Sequence, residues 1–158
     1  MPGGGTTDYA VEIYHEALAK GEFTCFLRGD SSLPMIYMPD LLKATVKMMD
    51  APVESLTRRV YNLGAMSFTP EVLAESIRKE IPEFEINYAV DFRQDIADTW
   101  PNSIDDSLAS QDWGWKPDYD IDRMTRHMLE FIGAQRVEKG LPRAFNSTGD
   151  EDAKKSKK

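Results

Sequence analysis

The sequence predicts a mixed α/β domain of short strands and amphipathic helices, and three observations carry that reading. Apolar residues recur at helical spacing in some windows and alternate or cluster in others, with Gly, Pro, Asn, Asp and Ser between them. The chain has 158 residues, 41% hydrophobic and 29% charged, enough for one domain with a core and too few for two. Its strands are few and far apart, which does not supply the repeated strand-crossover-strand units of a doubly wound sheet. The pattern reads as a substrate or lid lobe that exposes an apolar face to a larger neighbour. Three Trp, seven Phe and eight Met agree with such surplus apolar surface.

Each element has a local reason. Thr7 is a good N-cap and Asp8 suits a first turn; Ala10, Ile13, Tyr14, Ala17 and Leu18 then make one apolar face, and Gly21 stands where a C-cap glycine is expected. Residues 23–27 and 35–38 are rich in aromatic and apolar side chains and read as strands, with Arg28-Gly29-Asp30-Ser31-Ser32 as the turn between them. Asp40 reads as the N-cap of a helix bearing Leu41, Leu42, Thr45, Val46 and Met49 and stopped by Pro52. Residues 59–63 read as a strand. Thr69-Pro70-Glu71 supplies a capping hydroxyl, a proline at N1 and an acid at the positive helix end, so a helix runs from Pro70 to about Glu80. Alternation predicts a strand over 84–92, Ser103 with Asp105 and Asp106 a short helix over 103–111, and Ile121, Met124, Met128, Phe131 and Ile132 a last helix after Asp120.

From Lys139 onward the composition changes to six bases and three acids in a Pro-Gly-Ser-Thr-rich spacer. The expected organisation is a lobe over 1–138 and a disordered polar, basic tail over 139–158. The net charge of −8 disfavours nucleic acid as a partner. No stretch approaches the roughly 20 apolar residues of a membrane span, so no membrane partner is expected. Met1-Pro2-Gly3-Gly4-Gly5 has neither the signature of a signal peptide nor that of an Arg-rich presequence. A single cysteine, Cys25, excludes an internal disulfide framework and a multi-cysteine metal site.

Few residues single themselves out for chemistry. Gly3-Gly4-Gly5-Thr6-Thr7 before a helix is an anion-friendly arrangement, but it lacks the spacing of a nucleotide-binding turn, and a flexible leader suits the same letters. His15 and His127 have no companion at zinc spacing. Cys25, between Thr24 and Phe26, reads as a buried inert thiol. The acids Asp91, Asp95, Asp98, Asp105, Asp106 and Asp112 offer no selected pair. Trp100, Trp113 and Trp115 lie in aromatic loops that anchor a core, an interface or a pocket, and Arg93 either pairs with its flanking acids or faces a substrate carboxylate.

Five segments taken together are more specific. They are Pro2-Gly3-Gly4-Gly5-Thr6-Thr7-Asp8-Tyr9-Ala10, residues 33–40 (LPMIYMPD), 65–70 (AMSFTP), 91–101 (DFRQDIADTWP) and 112–115 (DWGW). In this order, over roughly residues 2–135, they resemble the C-terminal portion of the L-threonine 3-dehydrogenases, a family of the extended short-chain dehydrogenase type.

The resemblance implies the C-terminal substrate lobe of such an enzyme, without the main Rossmann sheet that holds NAD. It implies L-threonine as substrate, oxidised at its 3-hydroxyl to 2-amino-3-oxobutanoate, and a mitochondrial location. It also implies substrate-binding roles for Thr6, Thr7 and Trp100: Thr6 hydrogen-bonding the amino acid, Thr7 as a second loop candidate, Trp100 covering it. The family's general base is the tyrosine of a Tyr-x-x-x-Lys motif. Here Tyr9, Tyr14, Tyr37, Tyr61, Tyr88 and Tyr119 are followed at the fourth position by Ile13, Leu18, Leu41, Ala65, Phe92 and Arg123, never by lysine. The glycine-rich NAD turn is likewise not found, so no catalytic or cofactor-binding residue is assigned and no NAD binding is expected of these residues alone. The expectation is a truncated C-terminal fragment, inactive by itself, with an apolar face available for self-association. Its alternative is a non-catalytic interaction protein that docks on a full-length partner.

Overall fold

The computed structural model describes residues 5–145. Helix α1 (Tyr9–Lys20) turns Tyr9, Ile13, Tyr14, Ala17 and Leu18 into the core and ends at Gly21, whose φ of 77° is left-handed and whose N–H returns to the Ala17 carbonyl. A side chain at Gly21 would be strained and would meet the Phe145 ring at 2.3 Å, which is why this C-cap must be glycine. The helix start differs from expectation. Asp8, not Thr7, occupies the N-cap position, because a turn already closes from Gly5: Asp8 N–H donates to the Gly5 carbonyl at 3.2 Å, and the Asp8 carboxylate accepts the Gly5 N–H at 3.0 Å.

Two small sheets follow. Strand β1 (Glu22–Cys25) runs parallel to β4 (Glu85–Tyr88), with Phe23 opposite Ile86 and Cys25 opposite Tyr88. Strand β2 (Leu33–Met35) runs antiparallel to β3 (Met66–Phe68), with Leu33 opposite Phe68. The predicted strand over 35–38 therefore lies earlier, because helix α2 (Met38–Met49) begins ahead of Asp40, with Pro39 in its first turn fixing a helical φ. Asp40 is inside that helix rather than capping it. The predicted strand over 59–63 is irregular chain, with Val60 80% exposed; the pairing segment lies further on, at β3. The strand predicted to reach residue 92 stops at Tyr88, and a helix that the pattern did not reveal, α4 (Arg93–Ala97), follows.

Helix α3 (Pro70–Arg78) starts as expected, the Thr69 hydroxyl accepting the Val72 N–H at 3.2 Å. Helix α5 (Ser107–Trp113) starts and ends later than predicted and is closed by Gly114 at φ 69°. Helix α6 (Ile121–Glu138) starts at Asp120, whose carboxylate accepts the Arg123 N–H at 2.8 Å.

The main core is built by α1, α3, α6, β1 and the approach to β4, with Ile13, Leu27, Leu73, Ile77 and Phe84 buried in it. A polar relay crosses it: Tyr14 Oη to Thr125 Oγ1 at 3.0 Å, Thr125 to Ser76 Oγ at 2.9 Å, and Ser76 to Asp122 at 2.7 Å, where Lys79 also donates. Every buried hydroxyl in it has a partner, so the relay ties three helices together without an unpaired polar group. A second cluster gathers Ala44, Ala109, Trp113 and Trp115. Packing continues past residue 138, with Ala144 against the main core and Phe145 over Gly21. Residues 146–158, which hold most of the predicted tail, lie outside the described residues, as do residues 1–4.

Candidate functional site

The segment 5–8 is held as a turn by the reciprocal Gly5–Asp8 hydrogen bonds, and a Cβ at Gly5 would stand 2.7 Å from an Asp8 carboxylate oxygen. A side chain there would push the Asp8 carboxylate aside. The turn buries Thr6 and leaves Thr7 half-buried, its carbonyl accepting the Ala10 N–H at 3.1 Å. The anion-friendly reading of this loop meets an obstacle here, since the turn's own carboxylate already takes the Gly5 N–H and sets a negative charge at the helix entrance.

From this turn a chain of contacts leads to α4. Tyr9 meets Phe26 edge-on at 6.5 Å, and the Arg93 guanidinium lies 3.1 Å above the centre of the Phe26 ring. Arg93 is also paired with Asp91 at 2.6 Å, an interaction that holds the Asp91 carboxyl below its ordinary range. Arg93 is thus engaged by its flanking acid, the plainer of its two readings.

Helix α4 is fastened to the β1–β2 turn by Gln94, one of the few buried polar side chains. Its carbonyl oxygen accepts the Arg28 N–H at 2.8 Å and the Ser31 hydroxyl at 3.0 Å, and its amide donates to Asp98 at 2.7 Å. Arg28 closes the ring with a two-pronged contact on Asp98, at 2.9 and 3.3 Å, which lowers the Asp98 carboxyl. Trp100 follows directly, its N–H on the Ala97 carbonyl at 3.0 Å and its side chain 43% exposed. The three residues singled out for substrate binding therefore occupy two segments, the 5–8 turn and the residues just after α4, and the contacts from Tyr9 through Phe26 to Arg93 run from the first of these to the start of α4. Sequence reasoning missed Gln94. Its only signal was position, four residues before Asp98 and opposite Arg28 across a turn that the sequence does locate.

The other candidates resolve simply. Burial pushes the Cys25 thiol up, as an inert core thiol requires. His127 Nδ1 meets the Tyr37 hydroxyl at 2.7 Å beside Tyr119. Trp113 and Trp115 anchor the second cluster. Among the described residues no group of three or more His, Cys, Asp or Glu is placed to hold a metal ion. Tyr9, Tyr14, Tyr37 and Tyr88 all have their phenols pushed upward, in each case by burial first, which is the opposite of what a general base near neutral pH needs. Two surface clefts, one of about 380 Å³ beside β3 and the 117–121 segment and one of about 590 Å³ beside residues 58–62 and 105–109, include none of Thr6, Thr7 and Trp100.

No family model matches the chain. It is 54% identical over 136 residues to the mitochondrial L-threonine 3-dehydrogenase of Bos taurus, a match that takes in 85% of this chain and 36% of that protein. It is 46% identical over 140 residues to an uncharacterized epimerase/dehydratase of Staphylococcus saprophyticus, covering 44% of it. The crystal structure of L-threonine dehydrogenase from Phytophthora infestans superposes with a TM-score of 0.83 at 56% identity, over 85% of this chain and 44% of that one. The chain spans less than half the length of each of these relatives. Over most of its own length, then, it is homologous to the C-terminal portion of the L-threonine 3-dehydrogenases.

Proposed function

We propose that these residues form the substrate-binding portion of an NAD-dependent L-threonine 3-dehydrogenase, with the mitochondrial location of its bovine relative. The observation that carries this reading is identity above 50% to threonine dehydrogenases along 85% of the chain. In it the Thr6 hydroxyl, seated in a turn that Gly5 and Asp8 hold rigid, hydrogen-bonds the amino acid, with Thr7 as a second donor. Trp100, still partly open to solvent, covers the bound molecule and excludes water when its segment closes. The Gln94 ring of hydrogen bonds sets where that segment begins.

NAD accepts the hydride in this chemistry, and the described residues do not fit it. Both sheets have two strands, and the one glycine-led helix entrance is occupied by the Asp8 carboxylate, which repels a pyrophosphate. No tyrosine here has a lysine four residues on to lower its pKa, and four of the six have phenols shifted the wrong way for a base. A hydroxyl bound by Thr6 would find neither proton acceptor nor hydride acceptor among these residues, so in this reading the chain alone does not turn over L-threonine.

The test has two parts. Purified chain supplied with L-threonine and NAD should form no NADH while a full-length relative does; turnover by the chain alone refutes the inactivity. Joined to the remainder of a family chain, Thr6→Ala should raise KM for L-threonine about tenfold, the loss of one hydrogen bond to a charged group. An unchanged KM removes Thr6 from the site.

A further inference from the structure

The Arg93 guanidinium is held from three directions. Its Nε donates to both oxygens of Asp91 at 3.0 Å and its Nη2 to one of them at 2.6 Å, while the same carboxylate accepts the Arg93 backbone N–H at 2.9 Å. Its flat face lies 3.1 Å above the centre of the Phe26 ring. Asp91 first, and Glu12 and Asp8 beyond it, favour the charged guanidinium, so the acids at the start of α1 act on it as well. Phe26 is common to both ends of this arrangement. Its carbonyl accepts the Asp91 N–H at 3.2 Å, and its ring meets Tyr9, the residue that follows the Thr6 turn and opens α1, at 83°. Arg93 in turn opens α4, and helical hydrogen bonds continue from there to the Trp100 N–H, so the place of Arg93 sets the place of Trp100. A fork on a carboxylate and a plane on a ring are contacts that guanidinium makes and ammonium does not.

We propose that Arg93 is a positioning residue for the amino-acid site: pinned to Asp91 and stacked on Phe26, it fixes the separation between the Thr6 turn and the Trp100 segment without touching the substrate. The proposal rests on the reading above, in which those two segments grip L-threonine. A small ligand held from two sides is bound well only if both sides stand at the right distance, and a displacement of an ångström is enough to lose the fit. The edge of the guanidinium that could meet a substrate carboxylate bidentately is already spent on Asp91, which leaves Arg93 the work of a brace.

Kinetics of the chain joined to the unmatched part of the Phytophthora infestans enzyme test it. Arg93→Met keeps an unbranched side chain beside Phe26 but has no fork for Asp91, and should raise KM for L-threonine about tenfold while KM for NAD and kcat stay within about twofold. Asp91→Asn should do the same from the other side of the fork, and the double variant should be no worse than either single one, because both remove one interaction. The Asp91 change separates bracing from direct contact. A guanidinium that bound the substrate carboxylate itself would be released by Asp91→Asn and bind at least as well, so a KM for L-threonine that stays or falls there overturns the proposal. So does an additive double variant. An equal rise in both KM values, or a rise as large with Asp120→Ala, which removes the α6 N-cap outside both segments, would report general loosening and overturn it too. If Arg93→Met does not fold, Asp91→Asn decides alone. Failure of the underlying reading looks different: Thr6→Ala and Arg93→Met both without effect on KM remove the site, whereas Thr6→Ala raising KM with Arg93→Met silent keeps the site and removes Arg93 from it.

Discussion

The main core and the second cluster are held by different physics. Around α1, α3 and α6, regular elements meet through fully buried Ile13, Leu73 and Ile77, with one closed polar relay crossing between the helices. Around Trp113 and Trp115, helices α2 and α5 meet long irregular segments, and three carboxylates hold those segments in place. Asp40 accepts the N–H groups of Asp118 and Tyr119 at 2.9 and 3.1 Å. Asp106 accepts from Gly64 N–H at 3.2 Å and Trp115 Nε1 at 2.6 Å. Asp112 accepts from the Thr57 N–H and hydroxyl at 2.9 and 2.6 Å and from the Tyr61 hydroxyl at 2.6 Å. The difference teaches that irregular chain can be placed as firmly as a strand when each free backbone N–H finds an acid.

Breaking the apolar half should have the largest effect. Ile13→Ala, at a position with no exposure and a tight surround, should cost about 2–5 kcal/mol and lower the thermal midpoint of the whole lobe; a loss under about 1 kcal/mol in chemical denaturation would contradict the packing described. Asp40→Ala comes next. It leaves two backbone N–H groups without their acceptor, at about 1–3 kcal/mol each if they stay dry, and hydrogen exchange should speed up around residues 114–119 while α1 and α3 stay protected. Equal acceleration everywhere would mean that the two halves are one cooperative unit.

How legible these halves were follows from the same distinction. α1, α3 and α6 could be read because their apolar spacing and caps are local, down to Gly21, Thr69 and Asp120. The 59–63 segment misled because Val60 and Tyr61 have strand-forming side chains, yet what holds Tyr61 is Asp112, far along the sequence. Asp40 looked like a cap because caps are local; its partners are 78 and 79 residues away. At the candidate site the resemblance named the Thr6 turn and Trp100, but the Gln94 ring that joins α4 to the β1–β2 turn depends on a meeting no periodicity encodes.

Smaller effects sharpen the contrast. Thr69→Ala removes an N-cap in the apolar half and should cost about 1 kcal/mol, measured by denaturant midpoint; the loss should appear in α3 and not in the carboxylate-held half. The pH profile should be gentler still, because the groups concerned are exposed. Asp98, Asp112 and Asp122 have carboxyls held down by hydrogen bonds from Arg28, Thr57 and Lys79 respectively, so their contribution is present above the ordinary aspartate range near 4 and is lost as pH falls through their lower folded values. Stability should be flat from pH 7 to about 5 and decline below about 4, with exchange around residues 57–61 rising before that of α1. On the alkaline side, burial pushes up the Cys25 thiol and the Tyr9 and Tyr14 phenols, so stability should begin to fall as pH climbs past about 8.5, where an unfolded thiol ionises, and fall further past about 10, where unfolded tyrosine does. A profile that stays flat up to about pH 11 would contradict these assignments.

The Phe145 ring over Gly21 ties the far end of the chain to the first helix-to-strand corner. Anyone trimming this lobe for crystallisation or for fusion to another body should therefore cut beyond Phe145 and not at the end of α6, since the shorter version would uncover the corner on which β1 begins.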